Sequence, residues 1–136
     1  MDGPSPARLY ATLLGAILLV WGILGFFYSA SFGSPGEVEE MLGTFAVNGW
    51  SNALHILSGA LGLFMAGYAS RPYSLVLGLL YAVLAAWGFA LGDGNAILDL
   101  LPVDTANNIL HLVLGTLGVA AALATPGTAK RSPATA

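Results

Sequence analysis

The chain has 136 residues, 57% of them apolar and only 8% charged, with a formal net charge of −3. Soluble domains carry roughly 25% charged residues to cover their surface, so this composition, with its long apolar runs, points to lipid as the surrounding solvent. The lack of cysteine excludes disulfide frameworks, thiolate metal sites and cysteine nucleophiles.

Four apolar stretches, at about Leu9–Tyr28, Gly49–Ala69, Tyr73–Leu91 and Thr105–Thr125, contain no Asp, Glu, Lys or Arg. Each approaches the ~20 helical residues that cross ~30 Å of hydrocarbon. The expected organisation is a cytoplasmic N-terminus (1–8), a four-helix transmembrane domain (9–125) and a disordered cytoplasmic tail (126–136). For the first span a secretory signal competes, since Arg8, an apolar run and Ser29-Ala30-Ser31 mimic its parts. The run exceeds the ~7–15 residues of an ordinary signal core, so it is read as a span.

The first connection opens with Ser34-Pro35-Gly36-Glu37, a capping box with proline at the first helical position. Val38, Met41, Leu42 and Phe45 follow at three- and four-residue spacing. Together these predict a short amphipathic helix lying on the outer membrane surface or capping the bundle. Further breaks fall at Arg71-Pro72, Asp93-Gly94 and Pro102. In this arrangement Arg8, Arg71, Lys130 and Arg131 lie on one side. Glu37, Glu39, Glu40, Asp93, Asp99 and Asp104 lie on the other, and Asp2 alone breaks the segregation. The excess of Lys and Arg orients the chain with both termini in the cytoplasm.

The second half repeats the first. Asn48-Gly-Trp-Ser-Asn52-Ala-Leu-His55-Ile-Leu-Ser-Gly59-Ala-Leu-Gly62 aligns with Asp104-Thr-Ala-Asn-Asn108-Ile-Leu-His111-Leu-Val-Leu-Gly115-Thr-Leu-Gly118. Upstream, Arg8-Leu-Tyr10 with Leu14-Gly15 matches Arg71-Pro-Tyr73 with Leu77-Gly78, and Trp21-Gly22 resembles Trp87-Gly88 after a small shift. The fold class expected is therefore an all-α membrane protein: a four-transmembrane-helix bundle of two duplicated helical hairpins in parallel repeat. Asn48 and Asp104 stand at helix N-cap positions.

Asn52, His55, Gly59 and Gly62 share one helix face, as do Asn108, His111, Gly115 and Gly118. The glycines suit close helix packing. Each histidine lies seven residues past its cap, so ~10 Å into the membrane at 1.5 Å per residue. A polar group at that depth belongs inside the bundle. Three roles follow for His55 and His111. Structural hydrogen bonding to an asparagine, a carbonyl or the other histidine comes first. Ligation of haem, another tetrapyrrole or a metal ion, with Asn52 and Asn108 behind the rings, comes second. A proton or solute pathway comes third, weakened by the lack of any carboxylate in the spans. Ser58 near His55 has no acid beside it, so catalysis is not expected. Trp21, Trp50 and Trp87 with Tyr10, Tyr28, Tyr68, Tyr73 and Tyr81 read as an aromatic belt at the span ends. No basic patch suggests nucleic acid.

The segment Pro102-Val-Asp-Thr-Ala-Asn-Asn-Ile-Leu-His111-Leu-Val-Leu-Gly115, with Asn52-Ala-Leu-His55-Ile-Leu-Ser-Gly59, resembles a family of small bacterial four-helix membrane proteins, the domain of unknown function DUF4383. The resemblance runs from about Arg8 to Ala124 and implies a protein of the bacterial inner membrane. It implies no activity. The sequence favours a non-catalytic accessory protein that packs in the bilayer against membrane partners or copies of itself. A ligand-binding module at His55 and His111 ranks second, and a small transporter or channel third.

Overall fold

The computed structural model describes residues 3–34 and 36–127. Asp2, Pro35 of the capping box, Lys130, Arg131 and the predicted tail from 128 onward lie outside the described residues. Four helices carry the fold: α1 (Pro6–Phe26), α2 (Gly49–Met65), α3 (Ser70–Leu91) and α4 (Thr105–Ala124). α1, α3 and α4 are each long and apolar enough to cross a membrane, whereas α2 has 17 residues before it loosens into a turn.

The helix starts follow from local chemistry. Ser5 accepts from the Arg8 amide at 3.3 Å with Pro6 at the first helical position, which places the start of α1 three residues ahead of the expected span. Asn48 and Asp104 cap α2 and α4 as expected, accepting from the amides of Ser51 and Asn107 at 2.9 and 2.8 Å. α3 has no side-chain cap and ends at Gly92, whose φ of +80° breaks the helix.

α1 packs along α2 and α3 along α4, and the two pairs meet through α1 against α3 and α4 and through α2 against α3. At one end the start of α1 touches the finish of α4, where the Ala7 amide donates to Thr125 Oγ1 at 2.9 Å. Arg71 closes the same end. Its Nε donates to the carbonyls of Ala122 and Thr125, both at 3.1 Å, and so satisfies the last open acceptors of α4.

The opposite end differs from expectation. Residues 39–47 form no amphipathic helix. They form a β-hairpin, β1 (Glu39–Met41) against β2 (Phe45–Val47), with Met41 facing Phe45. A second hairpin pairs β3 (Ala96–Ile97) with β4 (Leu101–Pro102). The physical reason lies at the tips. Leu42 and Gly43 have φ of +55° and +67°, and Leu98 and Asp99 have +52° and +57°. Such pairs make a tight turn of the hairpin kind and cannot continue a helix. The turns close through Thr44 N to Met41 O at 3.2 Å and Leu100 N to Ile97 O at 3.0 Å. Once folded back, Phe45 sets its ring edge-on against Trp21 at 4.9 Å, and Met41 and Val47 are fully buried. A surface helix would have left these side chains without that contact.

Each hairpin is tied to a helix start. The Asn48 side-chain amide donates to Leu100 O at 2.7 Å. In the reverse direction the Ala46 amide donates to Asp104 Oδ2 at 2.9 Å, and the Asn107 side chain donates to Ala46 O at 2.8 Å and to Asp104 Oδ2. The caps of α2 and α4 therefore also lock the outer layer onto the bundle. Outward helix faces carry the exposed apolar residues, among them Leu13, Val20, Leu57, Val76, Val83 and Leu123.

Candidate functional site

The glycine faces bring backbones together. A Cβ added at Gly15 would lie 3.0 Å from Gly59 O and 3.1 Å from Leu63 N. One at Gly78 would lie 2.9 Å from Gly115 O and 2.6 Å from Val119 N. Gly15 and Gly78 are 63 residues apart, as are Tyr10 and Tyr73, and Leu63 and Val119 are 56 apart, as are His55 and His111. Gly59, Gly62, Gly115 and Gly118 are all spent on contacts within the chain. Gly62 packs on the Tyr73 ring and Ala11, and Gly118 on Gly78, Ser74 and the Tyr10 hydroxyl.

Tyr10 Oη donates to Leu114 O and Tyr73 Oη to Ser58 O, both at 2.7 Å. Ser58 and Leu114 also stand 56 residues apart, so each tyrosine reaches from its own hairpin to the matching carbonyl of the other. Gly25 and Gly88 complete the correspondence, because a Cβ on either would overlap the side-chain oxygen of Asn52 or Asn108. Gly88 thus has Gly25, not Gly22, as its counterpart. Gly25 and Gly88 are 63 residues apart, the separation also found between Gly15 and Gly78.

Above this glycine layer the two helices that carry the histidines leave room for side chains. His55 is 2% exposed, and its ring centre lies 5.9 Å from that of His111. Tyr81 closes the group, with its ring nearly parallel to His55 at 6.3 Å and tilted against His111 at 5.1 Å. Tyr81 is fully buried in the middle of α3, and its hydroxyl donates to Ser58 Oγ at 3.1 Å. The aromatic-belt reading therefore fails for Tyr10, Tyr73 and Tyr81, which are interior. Single-residue patterns conceal Tyr81, because its counterpart 63 residues earlier is Leu18. Only the packing shows that the pair of histidines has an unequal neighbour.

The hydrogen bonding expected of the imidazoles is missing. Both ring nitrogens of His55 and both of His111 are buried with no hydrogen-bond partner. Asn52 does not reach His55. Its amide donates to Ser29 O at 2.9 Å, which anchors the end of α1, while its oxygen sits over Gly25. Asn52 thus anchors α1, Asn108 lies against Gly88 of α3, and neither hydrogen-bonds a ring nitrogen. Each imidazole has one donor and one acceptor to satisfy, and a buried polar group left without a partner costs about 1–3 kcal/mol.

The sequence matches the family described as domain of unknown function DUF4383 over residues 8–124. The chain belongs to this family. No curated protein and no solved structure matches it. Ser58 Oγ accepts a hydrogen bond from the Tyr81 hydroxyl. Among the described residues no group of three or more His, Cys, Asp or Glu is placed to hold a metal ion.

Proposed function

We propose that this DUF4383 protein is a four-span integral protein of the bacterial inner membrane, built from two copies of one helix–hairpin–helix unit, and that it binds a small ligand between His55 and His111 without catalysing a reaction. One observation carries the binding role: both ring nitrogens of His55 and of His111 are buried without a partner, on rings whose centres lie 5.9 Å apart. The hydrophobic environment makes such atoms costly unless something binds them.

Matching contacts at constant offsets support the duplicated unit, including the paired tyrosine bonds and the twin hairpin turns. α2 and its following turn, shielded by α1 and α3, serve as the fourth span. Arg8 and Arg71 lie at the end where α1 begins and α4 finishes, which favours that end as cytoplasmic. Packing of membrane partners or further copies against the glycine faces loses its motivation, because those faces are occupied within the chain. The outward apolar surface is accounted for by lipid.

Two measurements test this reading. The chain lacks cysteine, so single replacements report sidedness with a membrane-impermeant maleimide. Thr44→Cys and Asn95→Cys are expected to react in intact cells, and Gly3→Cys and Ser70→Cys only after permeabilisation. Labelling of both sets from outside refutes the topology. For the site, nitrogen NMR on the histidine-labelled protein, extracted with mild detergent, compares the ring resonances with and without added ligand classes (metal ions, haem). Ring nitrogens indifferent to every class would refute the binding role.

A further inference from the structure

Resting on that binding role, we infer that the ligand of His55 and His111 is a single monovalent d10 cation, Cu(I) or Ag(I), held by one nitrogen from each ring. Ligand count argues first. The site offers two neutral imidazoles and, among the described residues, no third His, Cys, Asp or Glu grouped with them. Zinc in proteins takes three or four protein ligands. A filled d shell with one positive charge is content with two donors in a line, and imidazole is a suitable ligand for copper.

Charge argues next. The nearest acid along α4 is Asp104 at the cap, seven residues before His111 and so ~10 Å away along the axis, and its carboxylate is engaged by the amides of Ala46 and Asn107. Among the described residues, none of the four apolar helices carries a carboxylate that could neutralise a bound cation. The solvation cost of burying an ion grows with the square of its charge, so a divalent ion between neutral ligands would cost about four times as much as a monovalent one.

Distance is the third argument. With metal–nitrogen bonds of ~2.0 Å, one ion between two rings sets the bonding nitrogens ~4 Å apart, a separation within reach of rings whose centres are 5.9 Å apart. A tetrapyrrole needs an open slot of the macrocycle's breadth. Here Tyr81 contacts both rings, and one turn deeper Gly115 would place a Cβ 2.6 Å from the Ala82 backbone. Packing this close leaves no breadth for a planar macrocycle.

The test uses the purified full chain in detergent, titrated anaerobically with Cu(I) against a coloured Cu(I) chelator, and with Ag(I) in parallel. One equivalent is expected to be retained by the wild type and none by His55→Leu or His111→Leu, with the copper absorption edge showing two nitrogen neighbours. Nitrogen NMR of the wild type keeps the test independent of variant folding. Silver should shift one nitrogen in each of the two histidines, the only two in the chain. Retention of Cu(I) by the His55→Leu/His111→Leu double variant, or unshifted ring nitrogens with silver, overturns the inference. If zinc or a tetrapyrrole shifts the rings where Cu(I) and Ag(I) do not, the cation class falls while the binding role stands. If no ligand moves them, both fall.

Discussion

Replacing Gly115 by alanine tests the packing on which the histidine layer rests. The added methyl would lie 2.6 Å from Ala82 N and 2.9 Å from both Ala82 Cα and Gly78 O. All three are backbone atoms of α3, so no side chain can swing aside. Ordinary contact begins near 3.4 Å, and α3 and α4 must therefore part by about 0.8 Å at this crossing. Overpacking of this kind costs about 1–3 kcal/mol, set against about 1 kcal/mol of helix propensity gained by alanine. A net loss of up to about 2 kcal/mol is expected, read as a lower midpoint in denaturing-detergent titration of the purified protein. The control is Gly67→Ala, where nothing lies within 4 Å of the new methyl, and a change within about ±0.5 kcal/mol is expected. Gly59→Ala should behave like Gly115→Ala, because its methyl would meet the Leu19 and Gly15 backbones. A Gly115→Ala protein more stable than the wild type, showing the propensity gain without an offsetting clash, would refute the direct backbone contact between α3 and α4.

Other substitutions probe separate features of the fold. Tyr10→Phe and Tyr73→Phe each remove one bond between hairpins and are expected to lose similar amounts, about 0.6–1.7 kcal/mol by the same titration; grossly unequal losses would argue against equivalent roles. Leu98→Asn is expected to stabilise by about 0.5–1 kcal/mol, since leucine at φ of +52° is strained and 69% exposed while asparagine tolerates that conformation. A thermal midpoint unchanged or lowered would contradict it. In metal-free protein the double change His55→Leu/His111→Leu removes four unpartnered nitrogens. It should raise the thermal midpoint by an amount equivalent to about 1 kcal/mol or more, and a large drop would show that the rings hold the apo fold together.

Much of the site could be read along the chain because its signals are local or periodic. Asn48 and Asp104 announce helix starts through their own side chains, and the shared Asn-x-Leu-His-x-x-x-Gly-x-Leu-Gly pattern puts both histidines on small-residue faces. The hairpins were hidden by an ambiguity of spacing. Val38, Met41, Leu42 and Phe45 suit one side of a helix, and the Ser34–Glu37 box imitates a helix start. Extending the 56-residue offset upstream would have exposed them, since Met41-Leu42 meets Ile97-Leu98 and Val47-Asn48 meets Val103-Asp104.

The amino-acid sequence by itself determined the apolar helices, their caps and the inward placement of two imidazoles, because hydropathy, short-range hydrogen bonding and the 3.6-residue period act within a few residues of chain. Tertiary structure alone decided that the glycines serve contacts inside the molecule, that Tyr81 and not Asn52 borders the rings, and that four ring nitrogens end without partners. Those outcomes depend on which atoms of remote helices come within a few ångströms of one another, and no spacing along a single helix carries that information.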